Sequence, residues 1–198
     1  MKILNFKGVF LALILFLSPI FANKIVLINQ NILSDKVESK ISTIGEELRE
    51  KTGIYAGLGI FENLGGKSIN EKFKELNLKP PYAFLMLAKS EHKLEIFADE
   101  DTLKLFDKEQ ILSPYPARGS ILPILTSKNG KDIYNASMLN GYADIAEQIA
   151  KSKGVKLENA IGSSNKITLD ILRFAVYGSV ILVIGVIMFA KFRRRNAK

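Results

Sequence analysis

The stretch Tyr82–Ala88 (YAFLMLA) is apolar throughout. A run of this length without polar residues is typical of a strand that is covered on both faces. The polar turn Lys89–Lys93 follows it, and Leu94, Ile96 and Ala98 then alternate with other residues as in a second strand. These residues predict a β-hairpin whose first strand is covered on both faces.

Segments on both sides of the hairpin predict helices and one more strand. In chain order they are a helix from Asp35 to Gly53, a strand over Ile54–Phe61, a short helix opened by the capping box Ser68–Glu71, a helix over Asp99–Phe106 and a long helix over Ile133–Lys151. Helices that alternate with strands predict a mixed α/β domain built in layers.

The first 22 residues have the three parts of a secretory signal. Lys2 and Lys7 form its basic region, Gly8–Leu17 is a short apolar run, and Ala22 is a suitable residue before a cleavage point. We therefore expect residues 1–22 to direct export of the domain, residues 23–155. Cleavage stays open, because an uncleaved signal would leave a second membrane helix.

A second apolar segment lies near the other end. Residues 169–190 predict a transmembrane helix, since Phe174–Ala190 carries no charge and the whole segment can cross an apolar core of about 30 Å. Arg173 is expected to extend its guanidinium to the headgroups. A polar stalk, residues 156–168, would connect this helix to the domain.

A basic tail, residues 191–198, follows the predicted helix. Its positive charges are Lys191, Arg193, Arg194, Arg195 and Lys198. Positive charge next to a spanning helix marks the cytoplasmic side. The sequence therefore predicts a single-pass protein of the bacterial inner membrane, with its domain in the periplasm and its C-terminus in the cytoplasm.

Small residues recur along one side of the predicted transmembrane helix. Gly178 and Gly185 are seven residues apart, which places them on one helical face. Such a face allows close packing against a partner helix. Small residues are also common in spanning helices that have no partner, so both interpretations stay open.

The net charge of +8 is confined to the two ends. Residues 23–171 hold all the acidic residues and are formally neutral. A nucleic-acid-binding domain would carry its positive charge on the folded part, so we expect no nucleic-acid partner. The chain has no cysteine, which excludes disulfides and thiolate metal sites.

Two motifs invite a catalytic interpretation and fail on spacing or context. Gly66-Lys67-Ser68 lies between a strand and a helix, but Phe61 stands where a phosphate-binding loop needs glycine, so no nucleotide is expected. His92 is the only histidine and lies in a polar turn, where a solvated side chain is the ordinary interpretation.

Asp99, Glu100 and Asp101 form the densest acidic stretch. Carboxylates can hold calcium or magnesium. Acids in a first helical turn also favour the helix through capping and its dipole. The expectation is no cofactor, with a divalent cation at these three residues as the alternative.

The order of these elements resembles the TPM domain of thylakoid-lumen and bacterial envelope proteins, over about residues 23–155. The resemblance rests on Leu33–Ser34 and the helix after it, the hairpin, the segment Ile121–Leu125 and the final helix around Ala143–Ala150. It implies a three-layer sandwich of helices around a mixed sheet. Some members of that family are linked to assembly or repair of membrane complexes, and weak phosphatase activity or cation binding is ascribed to others.

This chain departs from the family pattern at two places. The family commonly opens with an aspartate before a glycine, where this chain has Asn29–Ile32, and it favours a glycine-containing turn after the hairpin, where this chain has Ala98–Asp101. We therefore expect a non-catalytic membrane-anchored module that assists an envelope complex and binds another integral membrane protein. The alternative is a weak cation-dependent phosphatase.

Overall fold

A mixed four-stranded sheet forms the centre of the domain. The computed structural model describes residues 24–128, 130 and 132–161. The strands are β1 (Val26–Asn29), β2 (Tyr55–Phe61), β3 (Tyr82–Ala88) and β4 (Lys93–Ala98), and they lie side by side in that order. The first three are parallel, and β4 is antiparallel to β3.

The predicted hairpin is confirmed at its predicted position. Ala83 pairs with Ala98 at one end of the ladder and Ala88 with Lys93 at the other. All of β2 is buried, as is β3 from its second residue on. Both faces of these two strands are therefore covered, as the uniform apolar pattern of β3 indicated.

Strand β1 was not predicted. It has only four residues, and its pairing with β2 is irregular between Val26 and Ile28. A strand this short does not complete enough alternations for its pattern to stand out from chance.

The two predicted helices before the hairpin are confirmed. Helix α1 (Asp35–Thr52) ends at Gly53, whose φ of 73° lies in the left-handed region that glycine adopts without strain. Helix α2 (Ile69–Glu75) begins with the predicted capping box: Glu71 N–H donates to the Ser68 hydroxyl, and Ser68 N–H donates to the Glu71 carboxylate at 2.7 Å.

The region after the hairpin is more broken than the sequence suggested. Instead of one helix over Asp99–Phe106, the chain forms α3 (Glu100–Leu103) and then α4 (Lys108–Ile111), followed by α5 (Leu122–Leu125). Asp107 accepts from Gln110 N–H and so begins a new helix instead of continuing the first. The long predicted helix is confirmed as α6 (Ile133–Ser152).

Helices cover the sheet in layers. Helix α1 contacts β1 and β2, α6 packs on α1, and α2 contacts β4. The Tyr142 hydroxyl of α6 reaches the sheet and donates to Ala56 O at 2.8 Å. The mixed α/β class that the sequence predicted is therefore confirmed.

An aromatic layer lies against one face of the sheet. Phe73 of α2 stacks on Phe97 with ring centroids 4.0 Å apart. The Phe84 ring lies over β2, where a Cβ on Gly57 would come within 2.6 Å of it and one on Gly59 within 3.1 Å. The two glycines thus provide the space that this ring occupies.

Helix α6 runs along the strands from one end of the sheet to the other. Near its start the Tyr134 ring lies 5.5 Å from Lys89 Nζ, at the end of β3. At its last residue the Ser152 hydroxyl donates to Leu105 O at 2.7 Å, just beyond α3. We call the end of the sheet at which the parallel strands begin its amino edge, and the end at which they finish its carboxyl edge.

The packed domain continues past the predicted boundary at residue 155. Leu157 is buried, and Ala160 and Ile161 are half-buried against the core. The sequence placed these residues in the polar stalk, because the segment around them is rich in polar residues and carries glycine and serine.

No helix within the described ranges is long and apolar enough to cross a membrane. The predicted signal, residues 1–22, and the predicted transmembrane helix and tail lie outside the described residues, as do the membrane residues Arg173, Gly178, Gly185, Lys191, Arg193, Arg194 and Arg195.

A candidate binding cleft at the amino edge of the sheet

A cleft of about 1130 Å³ opens between α6, the segment joining α3 to α4, and the chain after α6. Its floor is apolar and includes Phe106, Ala150 and Leu157, all buried. Its rim is charged, with lysines Lys104, Lys151 and Lys156 and acids Asp107 and Glu147. Apolar floors with charged rims suit the side chains of another polypeptide.

A partly buried polar network forms one wall of this cleft. Gln148 Nε2 donates to Asp144 Oδ1 at 3.0 Å and to Gln110 Oε1 at 2.9 Å, while its own Oε1 accepts from Asp107 N–H at 2.8 Å. The Ser120 hydroxyl also donates a hydrogen bond to the Asp144 carboxylate. Loss of one of these hydrogen bonds would leave a polar group without a partner and cost free energy of folding. The network therefore fixes α4 and the loop before α5 against α6.

A single carboxylate holds the other wall. Glu47 of α1 accepts from Glu158 N–H at 2.6 Å and from Asn159 N–H at 2.9 Å, and it pairs with Lys51 at 2.7 Å. Burial alone would raise the pKa of Glu47, but these hydrogen bonds outweigh burial and lower the pKa to about 2. Glu47 is therefore ionised at neutral pH and fastens the chain after α6 to the domain.

The acidic stretch that the sequence offered as an alternative cation site is divided between two roles. Asp99 Oδ1 accepts from Thr102 N–H at 3.1 Å, and Oδ2 accepts from Tyr82 N–H at 2.7 Å. Its pKa is lowered, because these hydrogen bonds outweigh the effect of burial. The carboxylate thus caps α3 and ties it to the start of β3.

Glu100 and Asp101 point into solvent. Their side chains are 92% and 93% exposed, and both pair with Lys104, at 3.5 and 3.1 Å. The structure does not bring these two carboxylates together with Asp99. In the part of the chain that the structure describes, no three His, Cys, Asp or Glu side chains are grouped to hold a metal ion.

The remaining candidate residues have local structural roles. His92 is exposed in the β3–β4 turn with a φ of 52°. Lys67 pairs with Glu75 of α2. At the carboxyl edge, the Asn29 side chain accepts from Leu33 N–H at 3.0 Å and so shapes the loop after β1.

The cleft itself was not predicted from the sequence. Its one local signal is Asp144 with Gln148 four residues on, a polar pair on one face of α6. Their partners Gln110 and Ser120 lie more than twenty residues away and carry no pattern that connects them to α6.

No protein-family model matches this sequence, and no characterised protein is similar enough to it to count as a match.

Proposed function

We infer that this chain is a membrane-anchored module, with its domain on the extracytoplasmic side, that binds another integral membrane protein and helps to assemble or maintain its complex. The observation that carries the proposal is the position of the cleft. Ala160 lines the cleft, and residue 161 is followed closely by the hydrophobic segment that the sequence assigns to the membrane.

Chain length limits how far the cleft can stand from the bilayer. Leu169 is eight positions after Ile161, and a chain of this length spans at most about 29 Å. The cleft is therefore tethered within reach of the membrane surface, where the external segments of integral membrane proteins lie.

Both ends of the described chain support the same orientation. Lys24 precedes β1, whose parallel direction places its start toward the amino edge, and the Tyr55 hydroxyl donates to Lys24 O at 2.9 Å. The chain after α6 also lies at the amino edge, beside the last turns of α1. The two hydrophobic segments that flank the domain in the sequence can thus reach the same membrane. The same proposal includes a three-layer sandwich like that of the TPM domain. It also includes a single spanning helix over residues 169–190.

The test is affinity purification of the tagged full chain from detergent-solubilised membranes. We compare wild type with Ala160→Arg, which places a large charged side chain in the cleft. The matched control is Asn70→Arg, on the exposed side of α2 away from the cleft. The proposal expects an integral membrane protein to co-purify with wild type and Asn70→Arg and to be lost with Ala160→Arg.

Two results would contradict the proposal. A chain that extracts without detergent has no membrane anchor. A partner retained equally by Ala160→Arg does not use the cleft.

A further inference from the structure

We propose that the loop between α4 and α5 is a second contact surface for the protein partner. That partner offers an apolar pocket for the Tyr115 ring and, at the edge of the pocket, a carboxylate for Arg118. The proposal rests on the proposed function, since the same partner is meant, and it adds a surface outside the cleft. We call residues 114–118 the tyrosine loop.

The tyrosine loop exposes a continuous run of mainly apolar side chains. Its five residues, Pro-Tyr-Pro-Ala-Arg, are all exposed, and the first four are not charged. Tyr115 is 68% exposed, and in the described part of the chain Leu103 is the only other large apolar side chain that is exposed. Scattered apolar residues are ordinary on a protein surface, whereas adjoining ones favour a binding surface.

The backbone of this exposed loop is held in one conformation. Tyr115 O accepts from Arg118 N–H at 2.9 Å and from Gly119 N–H at 2.8 Å. Gln110 Nε2 donates to Arg118 O at 2.7 Å. Gly119 also lies so close to Ser113 O that a Cβ at position 119 would clash with it. A loop that is ordered in advance loses little conformational freedom when it binds.

A β-turn presents the two key side chains together. The hydrogen bond from Arg118 N–H to Tyr115 O closes a turn with Pro116 at its second position, where the φ that proline imposes is suitable. The Cα atoms at the two ends of such a turn lie within about 7 Å of each other. Tyr115 and Arg118 can therefore enter one binding site. The turn also excludes the grooves that bind extended proline-rich segments.

Arg118 supplies the polar part of the contact. Its side chain is exposed and makes no ion pair with any described residue, including Glu109, the acid nearest to it in the sequence. A planar guanidinium binds a carboxylate through two parallel hydrogen bonds. Tyrosine and arginine are also residue types on which protein–protein contacts most depend. The surface that fits is thus an apolar pocket with a carboxylate at its edge, whatever the net charge of the domain.

The position of the loop favours a protein over lipid. Directly after the loop, Ser120 donates to Asp144, and its carbonyl accepts from Asn140 Nδ2 at 2.9 Å. These two residues precede Ser152, at the amino edge, by eight and twelve positions, or about 12 and 18 Å along a helix. With the amino edge toward the membrane, as proposed above, the tyrosine loop stands at the side of the domain, where the external part of a neighbouring protein lies.

Tyrosine iodination measures whether the loop is covered. The tagged full chain is labelled in three settings: native membranes, vesicles of the extracted lipids that hold no other protein, and detergent without other protein. Mass spectrometry then gives the rate at each tyrosine. We expect Tyr115 to react several-fold more slowly in native membranes than in the other two settings. Half-buried Tyr134, at the carboxyl edge, is the internal reference and should react equally in all three.

Variants at Arg118 test the chemistry of the contact. Arg118→Gln should raise the rate at Tyr115 in native membranes to that of the chain alone, without changing the melting temperature of the purified chain. Arg118→Lys keeps the charge but loses the paired hydrogen bonds, so an intermediate rate is expected. The matched control is Lys36→Gln, exposed on α1, which should retain the slow rate.

Each failure has a distinct meaning. If a membrane protein co-purifies and is lost with Ala160→Arg, yet Tyr115 reacts equally fast in all three settings, the loop contact is refuted and the proposed function stands. If no partner co-purifies and Tyr115 is not protected, both are refuted. Slow reaction in vesicles of lipid alone would assign the loop to lipid. Slow reaction that Arg118→Gln does not change would exclude the carboxylate.

Discussion

The carboxylate of Glu47 joins α1 to Asn159, 112 residues further along the chain, through hydrogen bonds to its backbone N–H at 2.9 Å and its Nδ2 at 3.0 Å. The same carboxylate accepts from Glu158 N–H. One side chain therefore fixes the direction in which the chain leaves the domain, and with it the wall of the cleft.

Replacing Glu47 by Ala should release the chain after α6. The backbone N–H groups of Glu158 and Asn159 would lose their acceptor, and hydrogen bonds to charged groups contribute about 1.5–3 kcal/mol. We expect a loss of about 2 kcal/mol in the free energy of unfolding and faster proteolysis near residue 158. Glu46→Ala, on the exposed side of the same helix, is the control and should change neither. Equal proteolysis of the two variants would contradict this role.

The depressed pKa of Glu47 predicts acid sensitivity. A carboxyl group whose pKa is about 2 in the folded state and about 4.3 when unfolded stabilises the fold fully above the unfolded value. That contribution should fall as the pH drops from about 5 toward 2. Urea unfolding at several pH values should show a steeper loss in wild type than in Glu47→Gln, and parallel curves would refute the assignment.

Gly57 should tolerate a methyl group less well than Gly59. A Cβ at position 57 would lie 2.6 Å from Phe84 Cδ2 and 2.7 Å from Tyr55 Cε1, whereas one at position 59 would lie 3.1 Å from the Phe84 ring. Overpacking of this kind costs about 1–3 kcal/mol. Chemical denaturation should place Gly57→Ala in that range and Gly59→Ala below it. The reverse order would show that the Phe84 ring moves aside.

The acidic stretch should act as a cap and not as a cation site. Asp99→Ala removes the acceptor of Thr102 N–H and Tyr82 N–H, so we expect a loss of about 1–2 kcal/mol. Glu100→Gln with Asp101→Asn, both exposed, should leave the melting temperature unchanged. Adding calcium or magnesium should raise the melting temperature of neither wild type nor variants. A cation-dependent rise in wild type alone would favour the phosphatase alternative.

The predicted topology can be tested with protease. Charge asymmetry around residues 174–190 predicts that the C-terminus lies in the cytoplasm. Protease added to spheroplasts should digest the domain and spare a tag placed after Lys198, and both should be digested once the membrane is dissolved. A domain that stays protected in spheroplasts would reverse the orientation.

The sequence by itself determined the elements whose signals are local. The uniform apolar run of β3, the alternation in β4 and the capping box at Ser68 each depend on residues a few positions apart, and each appears where predicted. The end of α1 also has a local signal, because Gly53 takes up the left-handed backbone conformation, which glycine adopts without strain.

Only the tertiary structure decided the site. The cleft depends on Gln110 meeting Gln148 across 38 residues and on Glu47 meeting Asn159 across 112, and no local pattern encodes such pairs. The role of Asp99 was likewise decided by its reach to Tyr82 N–H, seventeen residues earlier. Hydrogen-bond partners of polar side chains are selected by the packing of whole elements, so the same acidic residue can serve as a cap, a tether or a ligand until the fold places its neighbours.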